Sequence, residues 1–122
     1  MHYHIWFLTK YKKAILEGDI ERKLKEYFLE IARRKGYNIL TLETNRDHVH
    51  MLLEAENRKT LDGMMRVIKC VSAKKILENT PHLRAGNIRH FWARSFGHKQ
   101  VYEPQLEKVA DYIRDQKKIP HS

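Results

Sequence analysis

The sequence predicts an α+β domain of ferredoxin-like type: a split βαβ unit in the order βαββαβ with an antiparallel sheet, helices on one face and an extra C-terminal helix. Three observations lead there. Strand-like and helix-like apolar periods alternate in that order, a polar turn joins the two middle strands into a hairpin, and the 122 residues suit one compact domain spanning 1–122. No internal repeat, low-complexity tract or interdomain linker interrupts the chain.

Residues 2–10 are rich in aromatic and β-branched types without Gly or Pro, which predicts a strand buried on both faces. Gly18-Asp19 then introduces Ile20, Leu24, Tyr27, Phe28 and Ile31 at helical spacing, so a helix is expected over 19–35, with Asp19 as N-cap and Gly36 as stop. Asn38 to Thr44 and His48 to Ala55 read as two strands joined by the turn Asn45-Arg46-Asp47. Thr60 is a candidate cap for a second helix whose apolar side carries Leu61, Met64, Met65, Ile68 and Val71 and which ends before Pro81. Arg66 and Lys69 fall off that stripe, and Cys70 reads as core. Residues 91–101 read as a fourth strand, after which Glu103-Pro104 opens a last helix with Leu106, Val109, Ala110 and Ile113 inward.

Hydrophobic residues make up 42% and charged residues 32%, a balance that builds a core and excludes a disordered chain. Apolar runs such as Ile5-Trp6-Phe7-Leu8 are far shorter than the roughly 20 residues that span a bilayer, so no membrane partner is expected. The single Cys70 excludes an internal disulfide, and a cytoplasmic setting is expected. The formal net charge of +9 is uneven. Residues 1–56 carry 10 basic and 9 acidic side chains, whereas 57–122 carry 14 and 6, so the second half holds +8. Between Glu78 and Glu103 there is no acid, and Arg84, Arg89, Arg94 and Lys99 alternate with His82, His90, Phe91, Trp92, Phe96, His98 and Tyr102. Cations interleaved with stackable rings suit single-stranded or distorted nucleic acid. An ordinary solvated basic face over core aromatics is the alternative.

Two pairs of residues could carry chemistry. His48 and His50 are two apart on a strand, hence on one face about 6.6–7 Å apart along it, and could converge on one divalent metal. Such a pair is also common on the polar face of a half-exposed strand. Tyr112 and Gln116 are four apart on the predicted last helix and flank its apolar stripe. A boundary tyrosine with a solvated hydroxyl would look the same.

Four segments, taken together and in order, resemble HUH tyrosine transposases of the IS200/IS605 type and their relatives associated with repeated extragenic palindromes. They are Phe7-Leu8-Thr9-Lys10-Tyr11-Lys12-Lys13, Asp47-His48-Val49-His50-Met51-Leu52, Phe91-Trp92-Ala93-Arg94-Ser95-Phe96 and Tyr112-Ile113-Arg114-Asp115-Gln116. The stretch Gly97-His98-Lys99-Gln100 departs from the family, which more often carries a hydrophobic, threonine-containing run there. The resemblance implies a metal-dependent DNA transposase that cuts and rejoins single-stranded DNA beside hairpins, using Tyr112 as nucleophile and His48, His50 and Gln116 as ligands of Mg²⁺ or Mn²⁺. It also implies a homodimer in which the last helix can set Tyr112 against the partner's histidine pair.

These residue types suit that chemistry. Three neutral ligands leave a divalent ion nearly its full charge to set against an anionic phosphate. A tyrosine nucleophile stores the cut bond as a 5′-phosphotyrosine that a 3′-hydroxyl can reverse without ATP, in keeping with a chain that has no P-loop pattern. Arg66, Lys69, Arg94 and Lys99 are the candidate DNA contacts, with salt bridges to nearby acids as the alternative. Two rivals stand beside this reading: a non-enzymatic single-stranded nucleic-acid-binding module stacking bases on Trp6 or Trp92, and a Zn²⁺ site built on the histidines.

Overall fold

The computed structural model describes residues 1–85 and 90–118, so Arg89 and the side chain of Arg84, counted in the basic stretch above, lie outside the described residues. The strands are β1 (His2–Leu8), β2 (Asn38–Asn45), β3 (His48–Glu54) and β4 (Gly97–Val101). The helices are α1 (Gly18–Lys35), α2 (Arg58–Glu78), the short α3 (Pro81–Ala85) and α4 (Leu106–Arg114). All neighbouring strands are antiparallel in the order β2-β3-β1-β4. β3 therefore lies between β1 and β2, and β1 between β3 and β4, which is the interleaving a split βαβ sheet requires.

The two faces of the sheet are covered differently. Tyr3, Ile5 and Phe7 of β1 and Val49, Met51 and Leu53 of β3 meet Leu24, Phe28 and Ile31 of α1 and Leu61, Met65 and Ile68 of α2 in the main core. The opposite face is polar at one end and carries a smaller apolar cluster of Leu52, Val101, Ala110 and Ile113, where α4 docks. The C-terminal helix thus occupies the face the crossover helices leave open.

Several local expectations are corrected. β1 alternates between buried and half-buried positions rather than being buried on both sides, because its second face bears His4 and Trp6 instead of apolar core. α1 starts at Gly18, one residue before the expected cap Asp19, and Glu17 precedes it without a side-chain cap bond. α2 begins two residues before the expected cap Thr60, since Asn57 accepts the Thr60 amide at 2.9 Å.

The buried side of α2 continues through Ser72 and Ile76, with Val71 only half-buried, and Cys70 is exposed rather than core. Ser72 is buried because its hydroxyl accepts the indole N–H of Trp92 at 3.0 Å, and a buried indole needs such a partner.

The fourth strand is shorter than 91–101. Phe91 and Trp92 turn into the main core, edge to face with each other at 4.6 Å, and an isolated bridge, Thr9 to Trp92, links this segment to the sheet side. The Lys69 ammonium donates to the carbonyls of Ala93 at 2.7 Å and Ser95 at 3.1 Å, so those carbonyls are satisfied without a ladder. Ladder pairing resumes at Gly97, directly opposite Trp6.

Candidate active site

The polar end of the second face is assembled by strand register. Trp6 pairs with His50 and Leu8 with His48 across β1 and β3, while Lys99 of β4 lies opposite His4. His48 and His50 share one face with ring centroids 5.0 Å apart, at nearly right angles. Each ring holds a partner through Nδ1. For His48 it is Asp47 Oδ1 at 2.7 Å, and for His50 it is Nε2 of His4 at 3.0 Å.

α4 brings Tyr112 over this group. Its ring centroid is 6.3 Å from that of His50 and 5.9 Å from that of His4, both edge-on, and the side chain is 53% exposed. The tyrosine therefore borders the histidines and faces solvent at once.

Gln116 lies beyond the end of α4, in a 3₁₀ turn over Asp115–Lys118, rather than on the same continuous helix as Tyr112. It is 5% exposed, and its side-chain amide donates to the Tyr112 carbonyl at 3.4 Å. Its own carbonyl accepts from Asn45 Nδ2 at 2.9 Å, and Asn45 pairs with His48 across β2 and β3. Asn45, which reads in sequence as a turn residue, is thus the strut that holds the Gln116 turn beside the histidine strand.

Burial, with smaller contributions from the neighbouring His4 and His48 charges, pulls the His50 pKa down from 6.5 to about 4. Burial, then the charge of Lys99, lowers that of His4 as well. A metal accepts only a neutral imidazole, so an environment that keeps His50 unprotonated suits a ligand. Among the described residues no group of three or more His, Cys, Asp or Glu converges for an ion. The lowered values also fix the sign of a pH effect on stability. Below pH 6.5 the unfolded chain takes up protons that folded His50 refuses until about pH 4, so stability is full above 6.5 and falls between those limits. The urea midpoint is expected to drop from pH 7 to pH 5, and His50→Leu to flatten that slope; an unchanged slope in the variant would assign the effect to other groups.

The four candidate DNA contacts are split between the two sides of the sheet. Lys99 is exposed on β4, opposite His4. Arg66, Lys69 and Arg94 line a cleft of about 610 Å³ on the helix side, together with Phe91, Trp92 and Phe96. Arg66 and Arg94 are exposed, whereas Lys69 is half-buried, its pKa lowered by that burial, and its ammonium serves the 93–95 carbonyls. Trp92, 6% exposed, is core and offers no face to a base, while Trp6 is half-buried beside His4.

The family model for IS200-like transposases matches residues 1–116. The chain belongs to the IS200-like transposase family. It is 28% identical over 120 residues to the ISDra2 transposase TnpA of Deinococcus radiodurans, covering 95% of this chain and 84% of that protein. It is 29% identical over 115 residues to the transposase for insertion sequence element IS200 of Salmonella typhimurium, covering 93% of this chain and 75% of that protein. A crystal structure of a Deinococcus radiodurans R1 protein classed as a transposase superposes with a TM-score of 0.75 at 27% identity, over 96% of this chain and 91% of that one. The fold also matches, at a TM-score of 0.65 and 14% identity, a tyrosine transposase solved bound to a REP hairpin, over 93% of this chain and 64% of that one. This IS200-like chain is accordingly a DNA transposase, a member of a class that cuts and transfers DNA. Among the described residues of this transposase no helix is long and apolar enough to cross a membrane.

Proposed function

We propose that this transposase cuts and rejoins single-stranded DNA through a 5′-phosphotyrosine on Tyr112, with His48, His50 and Gln116 holding Mg²⁺ or Mn²⁺ and hairpins beside the cut recognised by its basic surfaces. The observation that carries the reading is the exposed Tyr112 ring standing over the buried, neutral His50 of its own chain. A bound divalent ion would supply positive charge against the scissile phosphate.

The chain's own residues do the rest. Tyr112 Oη attacks phosphorus in line, the P–O3′ bond breaks, the phenol's proton ends on the departing 3′-oxygen, and the 5′-phosphate stays on the tyrosine. A second 3′-hydroxyl reverses the sequence and releases Tyr112, so bond energy is conserved and no nucleotide cofactor is consumed. Docking of α4 through Leu52, Val101, Ala110 and Ile113 sets the height of the tyrosine above the sheet. Lys99 offers a cation to DNA on the side of the site, and Arg66 and Arg94 offer cations to DNA on the helix side, with Lys69 contributing through the segment it braces. A homodimer belongs to the reading; in it Tyr112 either keeps the place above its own histidines or exchanges with the partner's α4.

The test is a covalent adduct. The full chain incubated with hairpin-bearing single-stranded DNA and Mg²⁺ or Mn²⁺ is expected to form a protein–DNA species that survives SDS, and EDTA is expected to abolish it. Adduct formed equally in EDTA would remove the metal from the mechanism, and no adduct under any divalent ion would remove the tyrosine chemistry.

A further inference from the structure

Each histidine of the proposed donor pair is held by a different kind of partner. His48 Nδ1 lies 2.7 Å from the Asp47 carboxylate, which only accepts, so the neutral ring has its hydrogen on Nδ1 and its lone pair on Nε2. His50 Nδ1 meets another imidazole, His4 Nε2 at 3.0 Å, and here two assignments are chemically open. If His4 donated, the neutral His50 ring would carry its hydrogen on Nε2 and have no lone pair to give a metal. If His50 donates, its Nε2 is the electron-pair donor, matching His48.

The second assignment is the one that leaves His50 able to bind an ion, and the surroundings of His4 fix its ring for that role. Its ring lies against His50 with centroids 5.2 Å apart and planes 29° from parallel, flanked by Trp6 at 5.0 Å and by Tyr112 at 5.9 Å. A ring walled on these sides is held in place, so its Nε2 stays at His50 Nδ1. We propose that His4 is a positioning residue: it accepts the Nδ1–H of His50, fixing that ring's orientation and directing its Nε2 lone pair to the divalent ion. This rests on the metal reading above. Outer partners of this kind govern how well a metal-binding histidine presents its lone pair. His4 itself touches neither the ion nor the DNA phosphate in this role.

The experiment measures Mn²⁺ binding to the full chain without DNA, by calorimetry or by the loss of the free-ion electron paramagnetic resonance signal, alongside thermal unfolding. His4→Phe fills the space of the ring but cannot accept a hydrogen bond, and it is expected to weaken Mn²⁺ binding about 10- to 100-fold. His4→Gln restores an acceptor oxygen and is expected to recover most of the affinity, and His50→Ala to lose binding. Wild-type affinity in His4→Phe, with binding still lost in His50→Ala, would overturn the role of His4 and leave the metal reading standing. Equal weakening in His4→Phe and His4→Gln would reduce His4 to packing. No Mn²⁺ binding by the wild type, or undiminished binding by His50→Ala, would overturn the metal reading and the proposal with it. Should His4→Phe fail to fold, imidazole ¹⁵N resonances of the metal-free wild type decide: hydrogen on His50 Nδ1 supports the proposal, and hydrogen on its Nε2 overturns it.

Discussion

Tyr112→Phe is expected to abolish both the SDS-resistant DNA adduct and strand cleavage, to below about one-thousandth of wild type, while DNA affinity and thermal stability stay unchanged. The substitution removes one hydroxyl from a side chain that is 53% exposed and makes ring contacts to His4 and His50 that phenylalanine retains. Changes at such surface positions usually alter stability by less than about 0.5 kcal/mol. Activity responds differently, because the phenol that forms the ester storing the cut bond is gone, and losing a covalent nucleophile is among the most costly single changes in an enzyme. The measurement is a gel assay with labelled single-stranded hairpin DNA, with binding followed separately by anisotropy. Adduct persisting in Tyr112→Phe would move the nucleophile elsewhere, with exposed Tyr102 the next phenol to test.

Gly97→Ala is expected to destabilise the protein by about 1–3 kcal/mol. A methyl group at Gly97 would land inside the indole of Trp6, its ladder partner on β1. The indole has little freedom to yield, since His4 lies beside it at a centroid distance of 5.0 Å and the strand beneath is pinned on both sides. Any shift of Trp6 is passed to His4 and from there to His50. A melting temperature lower by roughly 5 °C or more is therefore expected, together with weaker metal binding. The cause is separable by a double-mutant cycle: in a Trp6→Ala background the same glycine substitution should cost little, giving a coupling of about 1 kcal/mol or more. Additive costs would mean that the glycine matters for its backbone and not for the space it leaves.

The parts legible in the sequence were those governed by local period. α1, the β2–β3 hairpin and the inward face of α4 follow from apolar spacing, and His48, His50 and Tyr112 stand out as candidates from motifs whose residues stand close along the chain. What was not legible depends on pairing between distant segments. His4 matters because register sets it diagonally from His50, and Asn45 because register sets it beside His48 while its amide reaches the Gln116 turn, 71 residues on. The reading of 91–101 as one strand failed for a related reason. Phe91 and Trp92 have strand-like composition, yet Ser72 and Lys69 of α2 supply partners that draw the segment off the sheet and into the helix-side core. Cys70 was misplaced because the buried side of α2 follows the polar Ser72 instead of an apolar residue.

The two tryptophans of the chain fall on opposite sides of the sheet, and that placement gives the protein a pair of separate optical reporters. Trp92, buried with its N–H on Ser72, should emit at short wavelength and change only when the helix-side core opens. Trp6, half-buried and next to the histidines, should be the fluorophore that Mn²⁺ or a stacked base quenches. With Trp6→Phe and Trp92→Phe variants titrated side by side, light alone can tell occupancy of the site apart from loss of the fold.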